Sequence, residues 1–241
     1  ILATELIEKK YNYIFSPGSG AHHGQVNKAS GFCYINDIAV AILVLKLKGY
    51  KRILYIDMDA HYGDGVSEFF KLDPTVYTVS IHQENLWPRT GKYLNDDINN
   101  ILNIPVKEGF NDYEFKDLIE KQVYENLKAF EPEVILMQMG ADCLKDDKMS
   151  ALDLSNNSMV YMIKLAKLIC DKIIVMGGGG YNPWLTLRAW TYNLAELTSA
   201  NYPLILNNQA KDFLRNIKYD FKPKLSWLDT IEDKPNIFFH A

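Results

Sequence analysis

The sequence predicts an α/β fold in three layers, with helices on both sides of a mainly parallel central sheet. Short runs of aliphatic and β-branched residues alternate with longer stretches of helical period. Gly, Asp or Pro follows each apolar run, as expected where a strand ends and the chain turns towards a helix. Several runs are apolar at consecutive positions, which is typical of a strand covered on both faces. No repeat or Pro/Ser-rich linker divides the chain, so we expect one domain.

Six strands and six helices are expected. The predicted strands cover residues 13–15, 52–57, 76–81, 101–104, 134–139 and 172–176. The predicted helices cover residues 4–10, 35–48, 113–130, 156–170 and 183–198, with a short one at about 209–216. In the second helix, Ile38, Ala41, Ile42 and Leu45 share one face, which predicts that this face is buried. The last forty residues contain three prolines and are expected to cover the domain.

Composition excludes several classes of protein. The chain has 241 residues, of which 48% are hydrophobic, and a formal net charge of −4. A globular core of substantial size is therefore expected, and disordered or collagen-like classes are excluded. The longest apolar run, residues 38–45, is far shorter than the roughly 18 residues of a membrane span. Mild acidity without a cluster of basic residues argues against direct binding of nucleic acid. Three cysteines without CxxC spacing favour a reducing compartment.

Side chains able to do chemistry follow the predicted strands, where parallel sheets carry their reactive groups. Four of the five histidines are among them. The residues concerned are His22, His23, Asp57, Asp59, His61, Asp64, His82, Asp142 and Tyr181. One site at this edge of the sheet is therefore predicted.

Two carboxylates and an imidazole in this group suggest a metal site. Asp57, Asp59 and His61 are spaced two apart, so in extended structure they share one face. With Asp142 from another strand end, Asp59 and His61 would give three N and O ligands, which is typical of catalytic zinc with one open position. The alternative is that Asp59 and His61 only cap the next helix and bind water. The adjacent histidines and the third strand-end Asp favour the metal.

The neighbouring His22 and His23 lie in a glycine-flanked turn, where both rings can face one cavity. Asp57 and Asp64 remain available as their partners. A His–Asp pair fixes the imidazole tautomer and raises its basicity, so the arrangement could supply a general base for a metal-bound water. Two solvated loop histidines are the alternative.

Tyr181 follows four glycines, Gly177 to Gly180. No Lys-Ser/Thr pair or GxGxxG spacing accompanies them, which argues against a phosphate-binding loop. We expect the glycines to let a substrate approach closely while the Tyr181 hydroxyl polarises a carbonyl oxygen near the metal. A core tyrosine after a tight turn is the alternative.

Taken together, these segments resemble the zinc-dependent histone deacetylases of the class I and acetoin-utilisation-protein type, which have an arginase-like α/β fold. The segments that carry the resemblance are residues 20–23, 29–37, 57–66, 78–82, 140–142 and 177–182, in family order. The resemblance implies zinc-dependent hydrolysis of N-ε-acetyl-lysine in histones or other proteins. It also implies an acetylated lysine peptide or protein as partner, and allows a multiprotein complex.

The resemblance assigns the roles of the reacting groups. Zn²⁺ would be bound by Asp59, His61 and Asp142. His23 would be the general base and then the general acid. The residues that support the reaction would be His22 as electrostatic companion, Asp57 behind His22, Asp64 behind His23, and Tyr181 at the carbonyl and oxyanion.

Substrate and cation positions are implied in the same way. Gly31, Phe32 and Trp87 would line a tube for the acyl-lysine stem, Met149 would lie near its mouth, and Gly179 completes the substrate-binding set. A monovalent cation, usually K⁺, would be held near the zinc by Asp57, Asp59, His61, Ser80 and Ile81. A second cation position would fall near Phe70, Asp73, Val76 and Asn100.

Four positions depart from the family pattern. Tyr62 stands where a second His of the metal loop is usual, and Trp87 replaces a tube-lining Phe. Ala21 replaces a larger residue, which predicts a cavity beneath the site. Met149 stands where acetylpolyamine deacetylases have Glu, which weakens that alternative substrate class.

Two further alternatives come from other classes of protein. A haloacid-dehalogenase-type phosphatase is suggested by residues 53–59, but His61 stands where that family has Thr or Val. A non-enzymatic scaffold would be marked by loss of a ligand or of the tyrosine, and neither is lost. Relatives carry an N-terminal stretch before Ile1, so residues 1–241 are expected to be a single deacetylase domain without it. We expect a cytoplasmic protein if the source is bacterial, and nuclear and cytoplasmic pools if it is eukaryotic.

Overall fold

The computed structural model describes residues 1–9, 11–96, 100–201, 203 and 205–234, with the backbone alone at 94–96. The predicted end of the first helix, Lys10, lies outside the described residues, as does Pro235 in the predicted covering segment.

A seven-stranded sheet forms the centre, in the order β1-β7-β6-β2-β3-β5-β4. Its strands are β1 (Tyr13–Ser16), β2 (Ile53–Asp57), β3 (Val76–Gln83), β4 (Leu94–Asp96), β5 (Ile101–Val106), β6 (Val134–Gln138) and β7 (Ile173–Met176). All neighbours are parallel except β4, which pairs antiparallel with β5 at the edge. The six predicted strands and the three-layer α/β architecture are confirmed. Strand β4 was not predicted, because three residues are too short for an alternating pattern.

Helices flank the sheet. They are α1 (Leu2–Lys9), α2 (Asp37–Leu47), α3 (Asp64–Phe70), α4 (Asp112–Leu118), α5 (Tyr124–Ala129), α6 (Asn156–Ile169), α7 (Pro183–Leu197) and α8 (Asn208–Arg215). The predicted helix 113–130 is divided by a π-helical turn, Ile119–Val123, between α4 and α5. Helix α3 was not predicted, because its seven residues start inside the candidate metal motif and show no full amphipathic period. Among the described residues, no helix is long and apolar enough to cross a membrane.

The sheet is covered on both faces. In β2, Leu54 and Ile56 pack into the larger apolar cluster with α4 to α7, whereas Ile53 and Tyr55 pack into a second cluster with α2 and α3. This alternation follows from the period of two in an extended strand. All five residues of β2 are buried, so the strand holds the polar side chains beyond its end on a rigid support.

The parallel register aligns the strand ends that carry the site. Asp57 pairs with Ser80 on one side and with Gln138 on the other, and Gln138 pairs with Met176. Ser16 of the edge strand pairs with Met176 in turn. Loops from β1, β2, β6 and β7 therefore leave the sheet at one level, beside Ser80 of the longer strand β3.

The C-terminal part of the described chain packs over α7. The indole ring of Trp184 in α7 lies 6.4 Å from that of Trp227 and donates a hydrogen bond to the carbonyl of Leu214 at 2.8 Å. Trp227 belongs to a 3-10 turn, Leu225–Leu228. These residues therefore cover part of the domain surface at α7, as the sequence predicted for the last forty residues.

Candidate active site

A buried carboxylate–imidazole–carboxylate cluster lies above the strand ends. Asp59 and His61 belong to the loop after β2, and Asp142 belongs to a 3-10 turn, Ala141–Cys143, after β6. One ligand atom from each residue lies within 4.8 Å of the others. His61 Nδ1 lies 3.1 Å from Asp59 Oδ1 and 3.0 Å from Asp142 Oδ2. The three residues predicted to share an ion therefore meet.

Hydrogen bonds from the fold orient both carboxylates. Asp59 Oδ2 accepts from Gln138 Nε2 at 2.7 Å and from the Gly179 N–H at 2.9 Å. Asp142 Oδ1 accepts from the Ala60 N–H at 2.9 Å. In each carboxylate one oxygen is held by these groups while the other faces His61. Such outer hydrogen bonds fix the direction of metal ligands.

The cluster favours a cation. Burial lowers the pKa of His61, but the hydrogen bonds to Asp142 and Asp59 outweigh it and raise that pKa to about 10. Burial and the neighbouring Asp59 carboxylate raise the pKa of Asp142 to about 7. A protonated His61 can therefore bridge the two carboxylates. One imidazole and two carboxylates fit a divalent ion that takes N and O ligands, and such an ion would displace this proton.

Each of the adjacent histidines has its own carboxylate. His22 Nδ1 lies 2.8 Å from Asp57 Oδ2, and His23 Nδ1 lies 2.7 Å from Asp64 Oδ1. The centroids of the two imidazole rings are 3.9 Å apart, and both rings are buried. These are the two pairs that the family resemblance implied.

The two imidazoles differ in charge. Burial lowers the pKa of His22, but the charges of Asp57 and Asp59 outweigh burial and raise it to about 9. For His23, burial lowers the pKa, and the charge on His22 adds to the effect despite the hydrogen bond to Asp64. At neutral pH, His22 is therefore the charged ring and His23 the neutral one.

The turn carrying these histidines is attached to the start of α2. Asn36 Nδ2 donates to the carbonyls of His22 at 3.3 Å and Gly24 at 3.0 Å, on either side of His23. Asp37 Oδ1 accepts from the Ala21 N–H at 2.8 Å. Neither Asn36 nor Asp37 was predicted from the sequence to have a role in the site. The signal that could have found them is the Asn-Asp pair at a helix start, where one side chain caps the helix and the other is free to bind a loop.

A cavity of about 360 Å³ leads to the cluster. Its lining is His23, Gly31, Phe32, His61, Trp87, Met149 and Tyr181. Four of the five predicted substrate residues lie here, with Phe32 at the rim and 84% exposed. The Trp87 ring lies edge-on to the His23 ring, 4.6 Å between centroids. An apolar channel therefore ends at a polar floor.

The fifth predicted substrate residue lines a neighbouring cavity. Gly179 borders a space of about 240 Å³ together with Ala21, Asp59 and Tyr181. A cavity therefore lies beside the small Ala21, and its lining reaches exposed residues such as Phe32.

The glycines before Tyr181 have a structural reason that the sequence did not show. A Cβ on Gly179 would lie 2.1 Å from Asp142 Oδ2, and one on Gly178 would lie 2.1 Å from Gln138 Nε2. The loop thus packs directly against a candidate metal ligand and against the amide that orients Asp59. Close approach of a substrate was the expected reason, whereas close packing on these side chains is what the geometry requires.

Tyr181 lies half-buried at the wall shared by both cavities. Burial raises the pKa of its phenol, and the charges of Asp142 and Asp59 raise it further. The hydroxyl therefore stays protonated and is available as a hydrogen-bond donor.

The residues expected near a first monovalent cation adjoin the cluster. Asp57 lies beside Ser80 in the register of β2 and β3, and Ile81 follows in β3. Ser80 Oγ lies 3.0 Å from His82 Nδ1. Asp57 Oδ2 also accepts from the Tyr55 hydroxyl at 2.6 Å.

The second expected cation position is at the far end of these strands. Asp73 forms an ion pair with Lys46 and accepts from Thr75 Oγ1 at 2.6 Å. Phe70 ends α3, and Val76 begins β3. Asn100, immediately before β5, donates to the carbonyl of Pro74 at 2.7 Å.

Tyr62, the departure in the metal loop, points away from the cluster. Its hydroxyl donates to Ser67 Oγ at 2.7 Å, and its ring lies 4.9 Å from that of His82. The tyrosine therefore replaces a histidine without removing a ligand from the cluster.

The chain is similar in sequence to known histone deacetylases. Histone deacetylase 6 of Arabidopsis thaliana is 37% identical over 189 residues, covering 74% of this chain and 39% of its own. Histone deacetylase B of Dictyostelium discoideum is 34% identical over 233 residues, covering 91% of this chain and 53% of its own. The chain thus spans about half or less of the length of these relatives.

Solved structures agree as well. The crystal structure of an HDAC homolog from Aquifex aeolicus has a TM-score of 0.83 and 39% identity, covering 91% of this chain and 62% of that one. A structure of an HDAC homolog complexed with SAHA matches with a TM-score of 0.84 and the same 39% identity and coverage. The arginase-like α/β architecture expected from the sequence is therefore confirmed. A family model described as the histone deacetylase domain matches residues 1–197, which is most of the chain, and the chain therefore belongs to the histone deacetylase family.

Proposed function

We propose that this chain carries the catalytic site of a zinc-dependent deacetylase that hydrolyses N-ε-acetyl-lysine in histones or other proteins. One observation carries the proposal: the buried cluster of Asp59, His61 and Asp142 presents His61 to a channel whose lining also includes His23 and Tyr181. Family membership supports the same activity. Deacetylation of a small acetylated amine, such as an acetylpolyamine, is the alternative.

Zn²⁺ is the ion we propose for the cluster, held by Asp59, His61 and Asp142. When bound, it would act as a Lewis acid on a water molecule and on the substrate carbonyl. The remaining chemistry belongs to side chains that the fold already places.

His23 is suited to move the proton. Its Nδ1 is bound to Asp64 Oδ1, so the proton of the neutral ring resides on Nδ1 and the lone pair of Nε2 is free. Because its pKa is lowered, the ring is neutral and can accept a proton from the attacking water. The imidazolium formed in this way can then protonate the departing lysine amine. His22, charged and paired with Asp57, would favour the negative charge that develops nearby.

Tyr181 is suited to hold the carbonyl oxygen. Its phenol stays protonated in the site, and Tyr181 lines the channel together with His61. A donor aimed at a developing oxyanion contributes more to the transition state than to the bound substrate, and so raises turnover.

The channel matches the stem of an acylated lysine. Phe32, Trp87 and Met149 give it apolar walls, which suit four methylene groups and a neutral amide. A free ammonium group would lose its hydration there without gaining a partner. Met149 offers no charge to a polyamine, which favours a protein lysine over the alternative substrate.

A monovalent cation, K⁺ by family resemblance, is proposed beside Asp57, Ser80 and Ile81. The buried carboxylate of Asp57 and the adjacent strand give it oxygen atoms of the kind that such ions prefer. The phosphatase alternative is disfavoured, because Asp57 is fully buried and bound to Tyr55 and His22 and cannot act as an exposed nucleophile.

A substrate panel on zinc-loaded protein tests the proposal. We expect release of acetate from acetyl-lysine peptides, inhibition by a hydroxamate that chelates the metal, and much slower reaction with acetylputrescine and acetylspermidine. An Asp142→Asn variant serves as control, since it keeps the shape of the cluster and removes a charged ligand. Faster reaction with the acetylpolyamines would favour the alternative. Phosphatase activity that requires Mg²⁺, without deacetylation, would refute the proposal.

A further inference from the structure

Asp147 is a further buried carboxylate that adjoins the site without taking part in the metal cluster. Asp147 follows the 3-10 turn that carries Asp142, and its side chain is turned towards the loop after β7. Its Oδ2 accepts from the backbone N–H groups of Tyr181 at 2.7 Å and Asn182 at 2.9 Å. Its Oδ1 accepts from the Met149 N–H at 2.9 Å. One carboxylate thus joins the loops that carry two walls of the channel.

This arrangement is specific to an ionised Asp. Three N–H donors converge on two oxygens, and a buried carboxylate is retained only where such bonds replace its hydration. Asparagine at position 147 would offer one oxygen and turn an NH₂ group towards at least one N–H donor. The neighbouring Asp146 differs, because its side chain is exposed and paired with Lys224.

The contacts fix the backbone from which the tyrosine ring projects. The N–H of Tyr181 is bound by Asp147, while its carbonyl accepts from the hydroxyl of Tyr219. The preceding residue, Gly180, has a φ of 149°, in a region that glycine adopts readily. Because glycine is free to adopt many other backbone angles, its own preference does not fix the conformation of the loop. Side-chain contacts with Asp147 and Tyr219 hold it instead.

We propose that Asp147 is a positioning residue that sets the place of the Tyr181 hydroxyl over the reacting carbonyl, and that of Met149 at the channel mouth. This inference rests on the proposed deacetylase function for its kinetic consequence. It predicts a loss of turnover through Tyr181, without loss of metal. A displacement of about 1 Å at a reacting group is enough to cost up to about 100-fold in rate.

A double-mutant cycle tests the path of the effect. With zinc-loaded protein and an acetyl-lysine peptide, we expect Asp147→Asn to lower kcat by about 10- to 100-fold, with KM changed by less than about threefold. In a Tyr181→Phe background, the same change should cost less than about twofold, because the hydroxyl that it misplaces is already absent. Asp146→Asn is the matched control and should leave kcat unchanged. Equal losses in both backgrounds would show a general structural role and overturn the inference.

A measurement without turnover separates this inference from the proposed function. 3-Fluorotyrosine at position 181 gives one ¹⁹F resonance. We expect Asp147→Asn to shift or broaden it, while Asp146→Asn leaves it unchanged. An unchanged resonance in Asp147→Asn overturns the inference whatever the activity. A wild-type protein that hydrolyses no acyl-lysine substrate but shows the expected ¹⁹F change would refute the proposed function and leave the positioning of Tyr181 by Asp147 supported.

Discussion

Replacing Tyr181 by Phe isolates the contribution of one hydroxyl. The ring is half-buried, with its centroid 6.4 Å from that of Phe32, and phenylalanine keeps this packing. The three candidate metal ligands do not include Tyr181, so metal binding should be preserved. What is lost is a protonated donor in a partly desolvated site, whose pKa is raised by burial and by the carboxylates of Asp142 and Asp59.

The magnitude follows from the role of an oxyanion donor. Removing one such donor costs about 3 kcal/mol of transition-state stabilisation. At about 1.4 kcal/mol per factor of ten, this corresponds to a loss of roughly 150-fold in kcat. KM should change little, because the bond is stronger in the transition state than in the bound substrate.

Steady-state kinetics on an acetyl-lysine peptide, together with metal content by mass spectrometry, provide the assay. Tyr113→Phe is a suitable control, since Tyr113 lies on the surface of α4 and is 60% exposed. A Tyr181→Phe enzyme within about fivefold of wild type would remove the tyrosine from the mechanism. A parallel loss of metal would show that the hydroxyl acts on the cluster rather than on the substrate.

Three further predictions follow from the protonation and packing of the site. The metal must displace the proton on His61, whose pKa is about 10, and below about pH 7 also the proton on Asp142. The Kd for Zn²⁺, measured by chelator competition, should therefore fall about tenfold per pH unit as the pH rises from 7 to 9. A Kd that does not depend on pH would contradict this prediction. Gly179→Ala would place a Cβ 2.1 Å from Asp142 Oδ2 and should weaken metal binding at least tenfold. Gly18→Ala is the control, because a Cβ added there would have no neighbouring atom within 4 Å. Equal metal affinities of the two variants would refute the packing argument. The general base must be neutral, and burial lowers the pKa of His23 below 6.5. In a profile of kcat/KM against pH, activity should therefore be lost as the pH falls through a midpoint below 6.5. A midpoint above 7 would exclude His23 as the base.

The metal cluster was predictable because two simple rules place it. Alternation along an extended segment puts Asp59 and His61 on one side, and parallel strands bring Asp142 to the same edge of the sheet. Six of the seven strands were predictable because each is a short apolar run that is followed by Gly, Asp or a polar residue. Local pattern and the geometry of a parallel sheet were sufficient for both.

Residues that act on the backbone of another loop were not predictable in this way. Asp147 and Tyr181 are separated by 34 positions, and the bond between them joins a side chain to an N–H group that every residue possesses. Asn36 likewise donates to backbone carbonyls of the histidine turn, and because every residue has a carbonyl, the sequence does not indicate which ones it binds. The glycines before Tyr181 were visible, but their reason lies in the carboxylate and amide packed against them. Such contacts become evident only when the loops have been placed.

The different protonation of His22 and His23 follows from their surroundings in the fold, because the two side chains are chemically the same. The rings are adjacent in sequence, 3.9 Å apart, and of the same intrinsic basicity, so charge on one opposes charge on the other. Asp57, at the end of the buried strand β2, is fully buried, and His22 Nε2 also lies 3.8 Å from Asp59 Oδ1. Asp64, at the start of α3, has 20% of its side chain exposed, so its charge is partly screened by water. The proton is therefore held on His22, and His23 is left neutral beside the channel, where a base is required.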